Sequence, residues 1–148
     1  MNGFDIEKML DFVCRALGEF AELHADETFY AFSIDAHLLC LNSTESFADT
    51  LDYYQGKYED YRAPEEIKQL KYHSGDWAYQ GFARLSTESG FDFDAYLAYL
   101  YREDEHGERA YPGAMEQLLA RLKQRNAFAL LKLTDDFTAF WVEKLPEV

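Results

Sequence analysis

Apolar residues recur at three- and four-residue steps near the start of the chain: Ile6, Met9, Leu10, Val13, Leu17, Phe20 and Ala21. That spacing predicts an amphipathic helix over residues 4–24 with one buried face. Glu7, Asp11, Glu19 and Glu22 fall largely off the stripe, and Asn2 or Asp5 is placed to cap the first turn. The pattern then changes. Phe29–Ile34 and Leu38–Leu41 are aromatic and apolar without helical spacing, which predicts two strands. Asp35-Ala36-His37 between them is short enough for a hairpin turn.

A second helix opens at Asn42-Ser-Thr-Glu45, where Asn42 or Ser43 can cap and Glu45 stands three residues after Asn42, as in a capping box. Phe47, Leu51, Tyr54, Tyr58 and Tyr61 form one stripe of this helix, and the three tyrosines are expected in the core. Glu45, Asp49 and Asp52 form another, with Tyr53 beside them. Gly56 interrupts without ending the helix, and Pro64 opens a short further turn. Residues 76–85 fit either a strand with Trp77 and Tyr79 on one face or a helix capped by Asp76; periodicity does not decide, and the strand is preferred. Asp92 caps a helix expected over 93–103, with Phe93, Tyr96, Leu97 and Leu100 inward. Pro112 starts the next, with Met115, Leu118, Leu119 and Leu122 inward and Arg121, Lys123 and Arg125 near its C-terminus. Phe128–Leu133 and Phe137–Lys144 predict a second hairpin around Thr134-Asp135-Asp136. The last strand is apolar on both faces and is expected to be central. Short strand connections favour an antiparallel sheet. The expected architecture is α+β, a single domain over residues 1–148, with four or five strands and about four helices packed on them.

Charge narrows the function classes. The 148 residues carry a net charge of −14, and 17% of them are aromatic. An aromatic content this high excludes a disordered acidic tail. Acidity argues against nucleic acid and anionic membranes as partners, because both need Lys and Arg. No apolar run approaches a membrane span, and the N-terminus lacks a basic segment leading into an apolar one. With two cysteines, Cys14 and Cys40, expected as buried thiols, the cytoplasm is the expected compartment. The charge is uneven: residues 1–50 hold two basic and ten acidic side chains.

Catalytic signatures are sparse. Nucleophile-elbow, zincin, Walker and paired-cysteine patterns are absent, so no cofactor, no metal and no catalytic residue is expected. His73, Ser74 and Asp76 are triad residue types, but triads are built from separate elements, and a turn with a capping Asp is the reading here. Asp104, Glu105, His106 and Glu108 read as a hydrated charged loop. The acidic stripe is the best candidate feature. Like charges at i, i+4 are mildly destabilising, and a basic partner would offset that. Glu45, Asp49, Asp52 and Tyr53, with Asp76 and Trp77, are the candidate partner-binding residues.

The run Phe29-Tyr-Ala-Phe-Ser-Ile-Asp-Ala36 after a long amphipathic helix, with Leu41-Asn-Ser-Thr-Glu45 and Gly75-Asp-Trp-Ala-Tyr79, resembles a bacterial domain-of-unknown-function family. The resemblance covers roughly residues 4–85, and the second half carries no family signal. It implies a small acidic protein of a kind sometimes encoded near polymorphic toxin systems and regarded there as an immunity protein. It brings no catalytic residues. The expected function is therefore protein binding, most concretely masking a basic toxin domain. The alternatives are a small hydrolase-like enzyme with a site of dispersed Asp, Glu and His, and a self-associating structural module.

Overall fold

A computed structural model describes residues 4–142. The first helix, α1, spans Ile6–Leu23 and buries Met9, Leu10, Val13, Leu17, Phe20 and Ala21. Asp5 caps it, accepting from the amides of Glu7 at 2.9 Å and Lys8 at 3.3 Å. The alternative cap, Asn2, lies outside the described residues. Strands β1 (Phe29–Asp35) and β2 (Leu38–Ser43) form the expected hairpin. Its turn contains no glycine, and Ala36 takes a φ of 47°. That conformation costs an L-residue about 1 kcal/mol. The buried Tyr96 hydroxyl donates to the Ala36 carbonyl at 2.7 Å, so a distant helix secures the turn.

β2 runs two residues further than expected, which places Asn42 in the strand rather than at a cap. Its side chain donates to the Tyr30 hydroxyl at 2.9 Å and accepts from the Ala78 amide at 3.3 Å. Ser43 caps the second helix, α2 (Thr44–Lys57), accepting from the Ser46 amide at 3.0 Å. A 3-10 turn at Glu59–Arg62 leads to α3 (Pro64–Lys71), longer than the single turn expected there. A second 3-10 turn, Ser74–Asp76, precedes β3 (Tyr79–Arg84), so the preferred strand is present. Helices α4 (Phe93–Leu100) and α5 (Tyr111–Gln124) follow. Asp92 caps α4, accepting from the Ala95 amide at 3.0 Å, and α5 buries Met115, Leu118, Leu119 and Leu122 as expected.

The C-terminal hairpin is corrected. Residues 125–131 run through turns anchored by buried Phe128 and Leu131, and Asn126 has a φ of 57°. Thr134-Asp135-Asp136 lie inside one strand, β4 (Leu133–Trp141). The sheet order is β3-β2-β1-β4, so β4 is an edge strand and not a central one. It pairs with β1 in parallel, while β1/β2 and β2/β3 are antiparallel. The fold is thus α+β with a mixed, mainly antiparallel sheet.

One face of the sheet carries the main core, where Phe29, Phe32, Ile34, Leu39 and Leu41 meet the apolar faces of α1, α4 and α5. The other carries a smaller cluster of Tyr30, Ala31, Cys40, Tyr72, Trp77 and Phe140, with Phe47 packed against it. A register shift between Phe29 and Ala31 lets Tyr30 and Ala31 both serve the smaller cluster. The cysteines are unbridged: Cys40 belongs to this cluster, and half-buried Cys14 packs on the main core.

Candidate partner-binding face

Ser43 fixes where α2 begins, and the i, i+4, i+7 spacing then sets Glu45, Asp49 and Asp52 along one exposed face. Tyr53 is 61% exposed beside them. The three carboxylates are not equivalent. Glu45 accepts from the Thr28 amide at 2.8 Å, and that bond holds its carboxyl below the usual range. Asp49 and Asp52 form no hydrogen bond or ion pair among the described residues.

No residue of α2 is buried. Tyr54 in α2, Tyr58 at its C-cap and Tyr61 in the following 3-10 turn are none of them buried, which corrects the expectation that they belong to the core. They pack on one another at the surface, with ring centroids 4.9 Å apart for Tyr54–Tyr61 and 6.0 Å for Tyr54–Tyr58 and Tyr58–Tyr61. Lys57 Nζ lies 5.9 Å from the Tyr58 ring centre and 5.4 Å from that of Tyr53, and donates to the Tyr53 hydroxyl at 3.1 Å.

Asp76 meets α2 through Tyr54, on the other stripe of the helix and not on the acidic one. The Tyr54 hydroxyl donates to Asp76 Oδ1 at 2.8 Å, and His73 Nδ1 lies 2.7 Å from Asp76 Oδ2. The bond to Asp76 is the main cause of a raised Tyr54 hydroxyl pKa. Trp77 does not reach the surface. It is 5% exposed, its indole N–H donates to the Lys71 carbonyl at 2.9 Å, and its ring meets Tyr30 and Phe140. Tyr79 packs on Phe20 and Phe29 in the main core, so Trp77 and Tyr79 serve opposite faces of the sheet, contrary to the expectation of one.

The triad-type residues form a local turn. The Asp76 amide donates to the His73 carbonyl at 3.0 Å, and the His73 ring lies against Gly75, where a Cβ would come 2.9 Å from Cε1. Burial pushes the Cys40 thiol up, which opposes the thiolate a nucleophile requires. In the charged loop, Asp104 Oδ1 accepts from the amides of His106 at 2.8 Å and Glu108 at 3.0 Å. Among the described residues no three His, Cys, Asp or Glu side chains are grouped to hold a metal ion, and no helix is long and apolar enough to cross a membrane.

One polar centre was invisible in the sequence. Glu27 accepts from Ser43 Oγ at 2.7 Å, Ser46 Oγ at 3.3 Å and the Tyr79 hydroxyl, and faces His24 Nδ1 at 3.2 Å. Burial raises its carboxyl, but the bonds from Tyr79, Ser43 and His24 outweigh that and lower it. Tyr79 is pushed up to about 12, by burial first and Glu27 second. A carboxylate so supplied with donors is a clamp between α1, β2, α2 and β3, not a group poised for proton transfer. Its partners lie up to 52 residues from it along the chain, and no local pattern signals them.

No curated protein and no solved structure matches the chain. Residues 9–148 match the model of the family described as Domain of unknown function (DUF4303), so the family extends through the second half of the chain, beyond the residues 4–85 that carry the resemblance. The chain belongs to the DUF4303 family.

Proposed function

We propose that this protein acts by binding a basic protein partner through the exposed face of α2, as an immunity-type protein that masks a basic toxin domain in the bacterial cytoplasm. One observation carries the reading: α2 has 14 residues and none is buried, yet it presents a row of carboxylates beside exposed tyrosine. Packing does not explain that choice of residues. Tyrosine offers a large rigid ring and a hydroxyl at low entropic cost, and is enriched where proteins meet. Carboxylates steer a basic partner and set its orientation.

The test is co-purification with the product of a neighbouring gene, then titration of the complex. Asp49→Lys with Asp52→Lys is the decisive variant, because neither side chain bonds within the fold. Affinity should fall by about tenfold or more, most strongly at low salt. Unchanged affinity removes α2 from the interface. Equal toxicity of the partner with and without this protein removes the immunity role.

A further inference from the structure

A cleft of about 630 Å³ opens where the β1–β2 turn meets the start of α5. This lies within the usual range of roughly 300–1,000 Å³ for small-ligand sites. Its lining includes Asp35, Tyr101, Glu108, Arg109 and Tyr111. Tyr111 is buried with its ring against Trp141, and its hydroxyl donates to Asp35 Oδ1 at 3.0 Å. Burial, then the charge of Asp35, raises that hydroxyl's pKa, so it stays a donor and holds the carboxylate in place. Asp35 makes no other side-chain hydrogen bond among the described residues. Tyr101 is 50% exposed, with its ring centre 5.8 Å from that of Tyr111 at 36°.

The rim is already shaped. Glu103 and Arg109 pair across a short hairpin, and Asp104 fastens its turn. Arg109 Nε sits 3.9 Å from the Glu103 carboxylate, which answers its charge. Of the charged side chains on the cleft wall, Asp35 and Glu108 are acids and Arg109 is basic with its charge answered by Glu103, so the balance at the wall is negative. Carboxylates near the start of α5 complement its dipole. That role requires neither the open volume nor a half-exposed tyrosine ring on its wall.

We infer that this cleft binds a guanidinium group, stacked on Tyr101 and donating to Asp35 and Glu108. A guanidinium is planar, weakly hydrated and suited to aromatic faces and carboxylates together, whereas an ammonium is a hydrated point charge. The group can come from a free alkylguanidine or from an arginine side chain of another protein. The cleft is separate from the α2 face, so the failure of either reading leaves the other standing.

The test titrates the full chain with agmatine, with arginine blocked at both ends, and with n-butylammonium, following amide shifts of Gly107 and Gly113. Saturable binding of a guanidine, with n-butylammonium weaker by about tenfold, is expected. Tighter agmatine indicates a free ligand, and blocked arginine binding at least as well indicates a side chain. Asp35→Asn, which keeps an acceptor for Tyr111, and Tyr101→Ala, at an exposed position, should each weaken binding about tenfold. Thermal melts confirm that each variant is folded, and Glu108→Gln replaces Asp35→Asn if that one is not. Absence of saturation by either guanidine overturns the inference. So does equal binding of n-butylammonium, or wild-type affinity in the folded variants.

Discussion

Glu27 accepts from Ser43, Ser46 and Tyr79 while its side chain is 20% exposed. Replacing it by Gln removes the charge from these bonds at almost constant size, and should cost about 1–3 kcal/mol. The pH dependence has a definite sign. The folded carboxyl titrates lower than the unfolded one, so its stabilisation is complete above the unfolded value of about 4.3 and is lost as pH falls through the folded value. Urea midpoints of wild type and Glu27→Gln should differ at neutral pH and converge in acid. A gap that persists at low pH would show that packing, and not charge, is responsible. Gly81 poses a different constraint at the same scale. Its φ is +67°, and an added Cβ would come 3.3 Å from Leu38 Cδ2. Gly81→Ala should therefore destabilise by about 1–2 kcal/mol, read as a lower urea midpoint with an unchanged slope.

Among the elements, α2 is held differently from α1 and α5. It has its Ser43 cap, the Glu45–Thr28, Tyr54–Asp76 and Ser46–Glu27 bonds and half-buried Phe47 against the smaller cluster, but no buried side chain. Helices draw most of their stability from a packed apolar face, so α2 should open locally while the core stays folded. Its amides should exchange hydrogen well before those of α1, and Tyr54→Phe should speed that exchange without lowering the global unfolding midpoint. Equal protection in α1 and α2 would contradict this. The same contrast explains what the sequence disclosed. The α1 stripe and the inward leucines of α5 have clean helical spacing because they are buried against one core, and both appear as read. Tyr54, Tyr58 and Tyr61 keep helical spacing too, but spacing cannot tell a buried face from a self-packed surface one. Phe128 and Leu131 fit a strand segment equally well as two anchors of a turn. Parallel pairing of β4 with β1 joins Ala31 to Thr138, a separation that no local pattern encodes. The acidic row of α2 was legible because exposure and periodicity agree there; the Asp35 cleft was not, because its parts come from three separate segments.

Across the whole molecule, a net charge of −14 sets carboxylate repulsion against the compact state. One arrangement opposes it directly. Arg121 and Arg125 reach from α5 to Glu7, and Arg125 Nη1 lies 2.7 Å from Asp11 Oδ1, so the basic end of α5 is fastened to the acidic start of α1. Salt acts on both terms with opposite signs. Raising ionic strength from about 0.01 to about 0.15 M shortens the screening length from about 30 to about 8 Å. Diffuse repulsion is then largely removed, while close contacts are weakened less. The melting temperature of the wild type should therefore rise with sodium chloride, a salt chosen over sulfate because sulfate also strengthens apolar burial. Arg125→Gln loses the attractive contacts and adds one unit of net negative charge. Its melting temperature should start lower and rise more steeply with salt than the wild type's. Parallel rises in the two proteins would mean that the α1–α5 contact contributes nothing beyond its geometry. A fall with salt in the wild type would mean that ion pairs, and not repulsion, dominate the electrostatics of the fold.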